Sequence, residues 1–200
     1  MSSKLIRWGV ALVFLAFAGT AKADTVSVNG SYAFASNGYG IPPYGGTLNG
    51  QSESFYCVDF THDITGGMSW NVAVTSMAGS NFSATLLDNQ TTYEEMAWLV
   101  TNMMGSGSQM QEAEDQFAIW SLTGGPNPFG TDAALVTEAL CAVENGFTGQ
   151  GFEILTPTGG TGQEFLVYVP EPSVLPMLCI GLLALAFLFR KKRFALLSQS

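Results

Sequence analysis

Residues 68–75 read MSWNVAVT and residues 92–104 read TYEEMAWLVTNMM, and between the two the apolar period of the chain changes. In the first, Met68, Trp70, Val72 and Val74 alternate with polar or small residues, the pattern of a half-buried strand. In the second, Tyr93, Met96, Ala97, Val100 and Met103 form one stripe of a helix with about 3.6 residues per turn. Thr92 followed by Glu95 has the spacing of a capping box and sets the expected helix start.

Working outward from that switch, the upstream side is strand-rich. Thr25–Phe34 reads as a strand interrupted at Asn29-Gly30, Ser54–Phe60 (SFYCVDF) and Phe82–Leu87 (FSATLL) as two more, and the Gly/Pro/Tyr-rich Ser36–Gln51 as a loop. Downstream, GSGS at 105–108 ends the first helix, and Ser108 with Gln111 starts a second. That helix runs to about Leu122 and is expected to bury Met110, Ala113, Phe117 and Trp120. Gly124-Gly125-Pro126 stops it, and a third helix spans Asp132–Glu144 and ends at Asn145-Gly146. Phe152–Leu155 and Glu164–Val169 close the chain as strands. The order predicts one α+β domain over residues 24–169, built of antiparallel strands with about three helices.

Charge is segregated along the chain. All seven Lys and Arg lie at positions 4, 7, 22 and 190–193, and all sixteen Asp and Glu lie between Asp24 and Glu171. A domain whose only basic side chain is His62 cannot neutralise phosphates, which argues against nucleic acid as a partner. Gly159-Gly160-Thr161-Gly162 lacks the lysine of a phosphate loop and reads as a turn. One histidine cannot build an ordinary zinc site, and no cofactor is expected. His62 beside Asp63 is the one candidate acid/base pair, with an ordinary structural loop histidine as the plainer reading. Glu112, Glu114 and Asp115 read as a solvated helix face. No constellation for a turnover enzyme stands out.

Both ends read as targeting segments. Lys4 and Arg7, the apolar run 9–19 and Ala21-Lys22-Ala23 have the form of a signal peptide over residues 1–23, cut after Ala23 by the export (Sec) pathway. Residues 173–189 carry no charge and are about long enough to span a bilayer, with the basic cluster Arg190-Lys191-Lys192-Arg193 held on the cytoplasmic side. On composition alone this is a permanent single-span anchor.

The order Pro170-Glu171-Pro172, apolar run 173–189, basic cluster 190–193 resembles the PEP-CTERM sorting signal of Gram-negative bacteria, over residues 170–200. That resemblance implies a removable label recognised by a membrane-embedded exosortase, an inner-membrane intermediate, and delivery to the cell surface or extracellular matrix. Proteins of this kind tend to serve envelope or exopolysaccharide systems, so a structural or adhesive role in a biofilm matrix is expected. The extension FALLSQS beyond the basic cluster departs from many members.

Removing the tail takes Cys179 with it and leaves Cys57 and Cys141. In an oxidising compartment these two are the plain candidates for a disulfide. A second reading starts from Tyr56-Cys57-Val58 and Gln116-Phe117-Ala118-Ile119-Trp120, which resemble the paired motifs of bacterial surface thioester domains. The resemblance implies that the Cys57 sulfur attacks the Gln116 carboxamide, expels ammonia and leaves an internal thioester able to capture an amine-bearing surface in a single turnover. Tyr56, Trp98 and Trp120 are the expected surroundings. A domain without lysine has no side-chain amine with which to consume such a bond itself. Polysaccharide and amine-bearing surfaces remain the two partner classes.

Overall fold

The computed structural model of the protein describes residues 23–169 and Leu182. Within them the chain forms β1 (Asp24–Val28), β2 (Phe34–Ser36), β3 (Tyr39–Ile41), β4 (Tyr44–Leu48), β5 (Gln51–Cys57) and β6 (Ser69–Ser76). Three helices follow, α1 (Gln90–Gly105), α2 (Gln109–Ser121) and α3 (Asp132–Glu144), and then β7 (Phe152–Pro157) and β8 (Phe165–Tyr168). The mixed, antiparallel class is as expected. What alternation does not disclose is closure: the strands pair in the order β1-β4-β5-β8-β7-β6, and β6 returns to β1 with Val26 opposite Trp70. β2 and β3 make a separate hairpin.

The C-terminal end of β5, together with β7 and β8, is buried on both faces, and alternation there sorts residues into two cores. Phe55, Cys57, Leu155, Phe165 and Val167 fill the barrel with Val26, Val28, Trp70 and Val72. Tyr56, Ile154 and Leu166, one residue out of phase, face the helices and pack with Tyr93, Met96 and Val100 of α1. Helix α2 serves both: Ala118 and Ile119 join the helical core, whereas Ala113, Phe117 and Trp120 cover the barrel's contents. The interleaving of Phe117 with Ala118 and Ile119 along one helix is what lets α2 straddle that boundary.

Several expectations are corrected. Residues 36–51 are not a loop, because β3 and β4 lie within them and β4 pairs with both β1 and β5. Gly45 and Gly46 sit where side chains have no room: a Cβ on Gly46 would stand 2.8 Å from the Phe55 ring. Residues 82–87 are turns, not a strand. Asn81 Oδ1 accepts from the Ser83 N–H and the Phe82 carbonyl accepts from the Thr85 N–H and hydroxyl, so side chains take the place of a ladder. Helix α1 starts one turn earlier than expected, with Asn89 accepting from the Thr92 N–H. Ser108 does cap α2, accepting from the Gln111 N–H. Met110 is 61 % exposed rather than buried. Val74 is also exposed, while Thr75 and Met77 are buried. The phase of β6 shifts where it leaves β1 beyond Val72 and turns from the barrel to the helical core.

Among the described residues no helix is long and apolar enough to cross a membrane. The segment expected to do so, 173–189, lies outside them apart from Leu182, as do residues 1–22, the Pro170-Glu171-Pro172 motif and the basic cluster 190–193.

Candidate functional site

Cys57 is the last residue of β5, paired with Phe165 of β8, and its side chain points into the barrel. Gln116 lies in the middle of α2, one turn before Trp120, on the part of the helix that covers the barrel core. The two are far apart in sequence, and the fold brings them together. Both are 0 % exposed, and Gln116 Nε2 donates to the Cys57 carbonyl oxygen at 2.9 Å.

The sulfur is held from two sides. Cys57 Sγ donates to the Asp59 carbonyl oxygen at 3.2 Å and accepts from the Trp120 indole N–H at 3.4 Å. Burial pushes the thiol up to about 12, a rise that the Trp120 hydrogen bond partly offsets. A resting thiolate is therefore unfavourable here, whereas an uncharged acyl derivative carries no such penalty. On the glutamine, Oε1 is buried and has no hydrogen-bond partner. An unsatisfied buried carbonyl costs about 1–3 kcal/mol, and Gln116 Oε1 is one of seven such side-chain atoms among the described residues.

Not every expected neighbour is present. Trp120 is at the site, but Trp98 is half-buried against the helical core and Tyr56 faces that core too, on the opposite side of β5 from Cys57. The parity of a strand forbids adjacent residues from sharing a face. The disulfide reading is not met either: Cys57 and Cys141 are both free thiols, the first buried in the barrel and the second exposed on α3. His62 pairs with Asp59, not Asp63, through Nδ1 at 2.6 Å from Oδ2. Asp115 is buried beside Gln116 rather than solvated, accepting from Gln111 Nε2 at 3.1 Å. Its burial lifts the carboxyl to about 6.

Three residues of the site were not singled out by the sequence reading. Asp59 accepts from the thiol through its backbone, and its nearness to Cys57 in FYCVDF was a usable signal. Gln163 lies far along the chain, and its Nε2 donates to the carbonyls of Asp59 and His62. Tyr39 reaches the site through the β2–β3 hairpin, its ring 5.9 Å from Phe117 and 5.7 Å from Trp120. Periodicity carries no information about either contact.

Gly125 fixes the far end of α2. A Cβ there would lie 2.7 Å from Trp120 Cβ and 3.0 Å from the Phe60 ring, so the chain passes close only because glycine occupies the position.

A scan against protein-family models, a search of curated proteins and a search of solved structures each return no match for this chain.

Proposed function

We propose that the protein is an exported surface or matrix component whose Cys57 and Gln116 form an internal thioester, through which it becomes covalently joined to an amine-bearing surface. The observation that carries this reading is the buried Cys57–Gln116 contact, with the amide nitrogen on the Cys57 carbonyl and the amide oxygen without a partner. In forming the bond, sulfur adds to the Gln116 side-chain carbonyl carbon, the C–N bond breaks, and the thiol proton leaves with nitrogen as ammonia. The product removes an ionisable thiol and a hydrogen-bonding amide from a water-poor core. It persists as long as the barrel and α2 exclude water, and an amine that reaches the acyl carbon releases the thiol and becomes an amide.

The two ends of the chain fit the same use. A leader over residues 1–23 and a PEP-CTERM tail over 170–200 would deliver the domain outside the inner membrane, with exosortase cutting at the tail. The acidic, lysine-free domain would arrive with its thioester unspent by its own side chains.

Methylamine tests the site. Treatment of the purified protein is expected to place one methylamide on Gln116 and free one thiol at Cys57, in equal amounts, by peptide mapping. Incorporation elsewhere, or none, removes the covalent reading. For the tail, protein recovered from a host with exosortase is expected to lack residues 173–200, and recovery of the full chain from that host contradicts the sorting proposal.

A further inference from the structure

Between the β2–β3 hairpin, the loop after β5 and the β7–β8 connection lies a cavity of about 410 Å³, within the size range of small-molecule pockets. Neither Cys57 nor Gln116 lines it. We infer that this cavity is a separate, non-covalent binding site for an uncharged sugar, the end or a short stretch of a neutral glycan.

One wall of the cavity is aromatic. Tyr39, Phe60 and Trp120 line it, with ring centroids 5.5, 5.7 and 5.6 Å apart pairwise. Rings at those distances touch one another, so they form a continuous surface and leave no gap between faces for a cation to occupy. Tyr32 extends the aromatic lining. It packs on Gly40, where a Cβ would stand 3.0 Å from its ring, and is still 51 % exposed. An exposed ring held against backbone is a platform for a flat ligand. The C–H bonds on one face of a pyranose suit it, because they are weakly positive and meet the negative face of an aromatic ring.

The polar lining matches hydroxyl groups. Ser31, Asp63 and Thr65 belong to it and are exposed. A carboxylate can accept from two neighbouring sugar hydroxyls, and serine and threonine hydroxyls both donate and accept, as a sugar's own hydroxyls do. Charge then selects among sugars. The chain has no lysine or arginine between residues 24 and 169, so a uronate or a sulfated sugar meets repulsion from Asp63 with nothing to offset it.

The walls are also set in advance. In the loop that carries Phe60 and Asp63, Asp59 Oδ1 accepts from the Thr61 N–H and hydroxyl, and Oδ2 pairs with His62 Nδ1 at 2.6 Å. Gln163 Nε2 ties that loop to the β7–β8 connection by donating to the Asp59 and His62 carbonyls. On the hairpin side the Tyr44 hydroxyl donates to the Gly40 carbonyl at 2.6 Å. A cavity held this way loses little freedom when it is filled.

The purified protein is titrated with neutral disaccharides of glucose, galactose, mannose and N-acetylglucosamine, and with digalacturonate, while the Tyr39 and Trp120 ring resonances are followed. At least one neutral disaccharide is expected to shift them saturably at or below millimolar concentration, and digalacturonate to bind more weakly. Tyr32→Ala, which removes an exposed ring, should weaken the binding about fivefold. Asp63→Ala should weaken it about tenfold, the scale of a lost hydrogen bond to a charged group. No saturable shift with any neutral disaccharide, digalacturonate binding as well or better, or full affinity in either variant overturns the inference. The outcome is independent of the thioester. A protein that carries the thioester and binds no sugar discards only this site, and sugar binding by a protein that forms no thioester discards only the covalent reading.

Discussion

Two buried polar clusters stand on opposite sides of the same barrel wall, and they are finished to different degrees. On the helical side, Glu164 has every oxygen engaged. Oε2 accepts from the Tyr93 hydroxyl at 2.5 Å, and Oε1 accepts from the Thr156 hydroxyl at 2.5 Å and the Leu86 N–H at 3.1 Å. On the barrel side, Gln116 has one amide hydrogen bond and an orphaned oxygen next to a thiol that burial keeps protonated. A satisfied network ties elements together and specifies their arrangement, whereas an unsatisfied one costs stability and is retained where the group has something else to do. Glu164 links the turn at residues 82–87, α1 and β7. Gln116 links nothing but Cys57.

The contrast is sharpest in substitutions that remove the side-chain polarity. Glu164→Ala leaves the Tyr93 and Thr156 hydroxyls and the Leu86 N–H without a partner, and is expected to cost about 3–5 kcal/mol in urea unfolding. In a Cys57→Ala background, where no thioester can form, Gln116→Leu removes the orphaned oxygen together with one hydrogen bond to the residue 57 carbonyl and is expected to cost only about 1 kcal/mol. Equal losses at the two sites would erase the distinction.

A smaller effect separates Glu164 from a buried carboxylate that lacks a full set of partners. Asp115 keeps Oδ2 without a partner, and burial holds its carboxyl at about 6. A carboxyl raised in the folded state favours folding when protonated. Its contribution is fully present below about pH 4, near the unfolded value, and is lost as pH rises through about 6. Burial moves Glu164 in the same direction. Thermal stability should thus rise on acidification from neutral pH toward pH 4, opposite to ordinary acid unfolding. Asp115→Asn should gain about 1–2 kcal/mol at pH 7 and flatten that slope. A stability that falls steadily as pH is lowered from 7 to 4 contradicts the assignment.

The smallest effect concerns the sulfur's second partner. Trp120→Phe preserves the ring but removes the N–H, worth about 1 kcal/mol, so methylamine incorporation should slow about fivefold. An unchanged rate would make Trp120 a wall and nothing more.

How much of this could be read in advance differs between the two sides. The helical half was legible, because α1, α2 and α3 carry their own stripes and stops, and Ser108 caps α2 as its spacing indicates. The barrel half was much less so. Tyr44–Leu48 contains two glycines and no alternation, and becomes a strand because β1 and β5 supply ladders on both sides. Closure of β6 on β1 is a long-range pairing that no local window contains. At the site, Cys57 and Gln116 were visible through their neighbours in sequence, and Trp120 through its spacing from Gln116. Tyr56 and Trp98 were misplaced because nearness in sequence is not nearness across a pleat or between helices. Tyr39, Phe60 and Gln163 meet only because a hairpin, a loop and a strand connection converge. The barrel also rests on a turn that the sequence did locate, at Gly159-Gly160-Thr161-Gly162: Gly162, with φ +107°, lies where a Cβ would stand 2.5 Å from the Trp70 ring.

The intact mass of the purified, untreated protein bears on the central claim most directly. With the leader and tail accounted for, it should fall below the sequence mass by one molecule of ammonia, and Cys57→Ala should abolish that deficit. A mass equal to the sequence, or one lower by two hydrogens and restored by reductant, would show that Cys57 and Gln116 are neighbours without a bond.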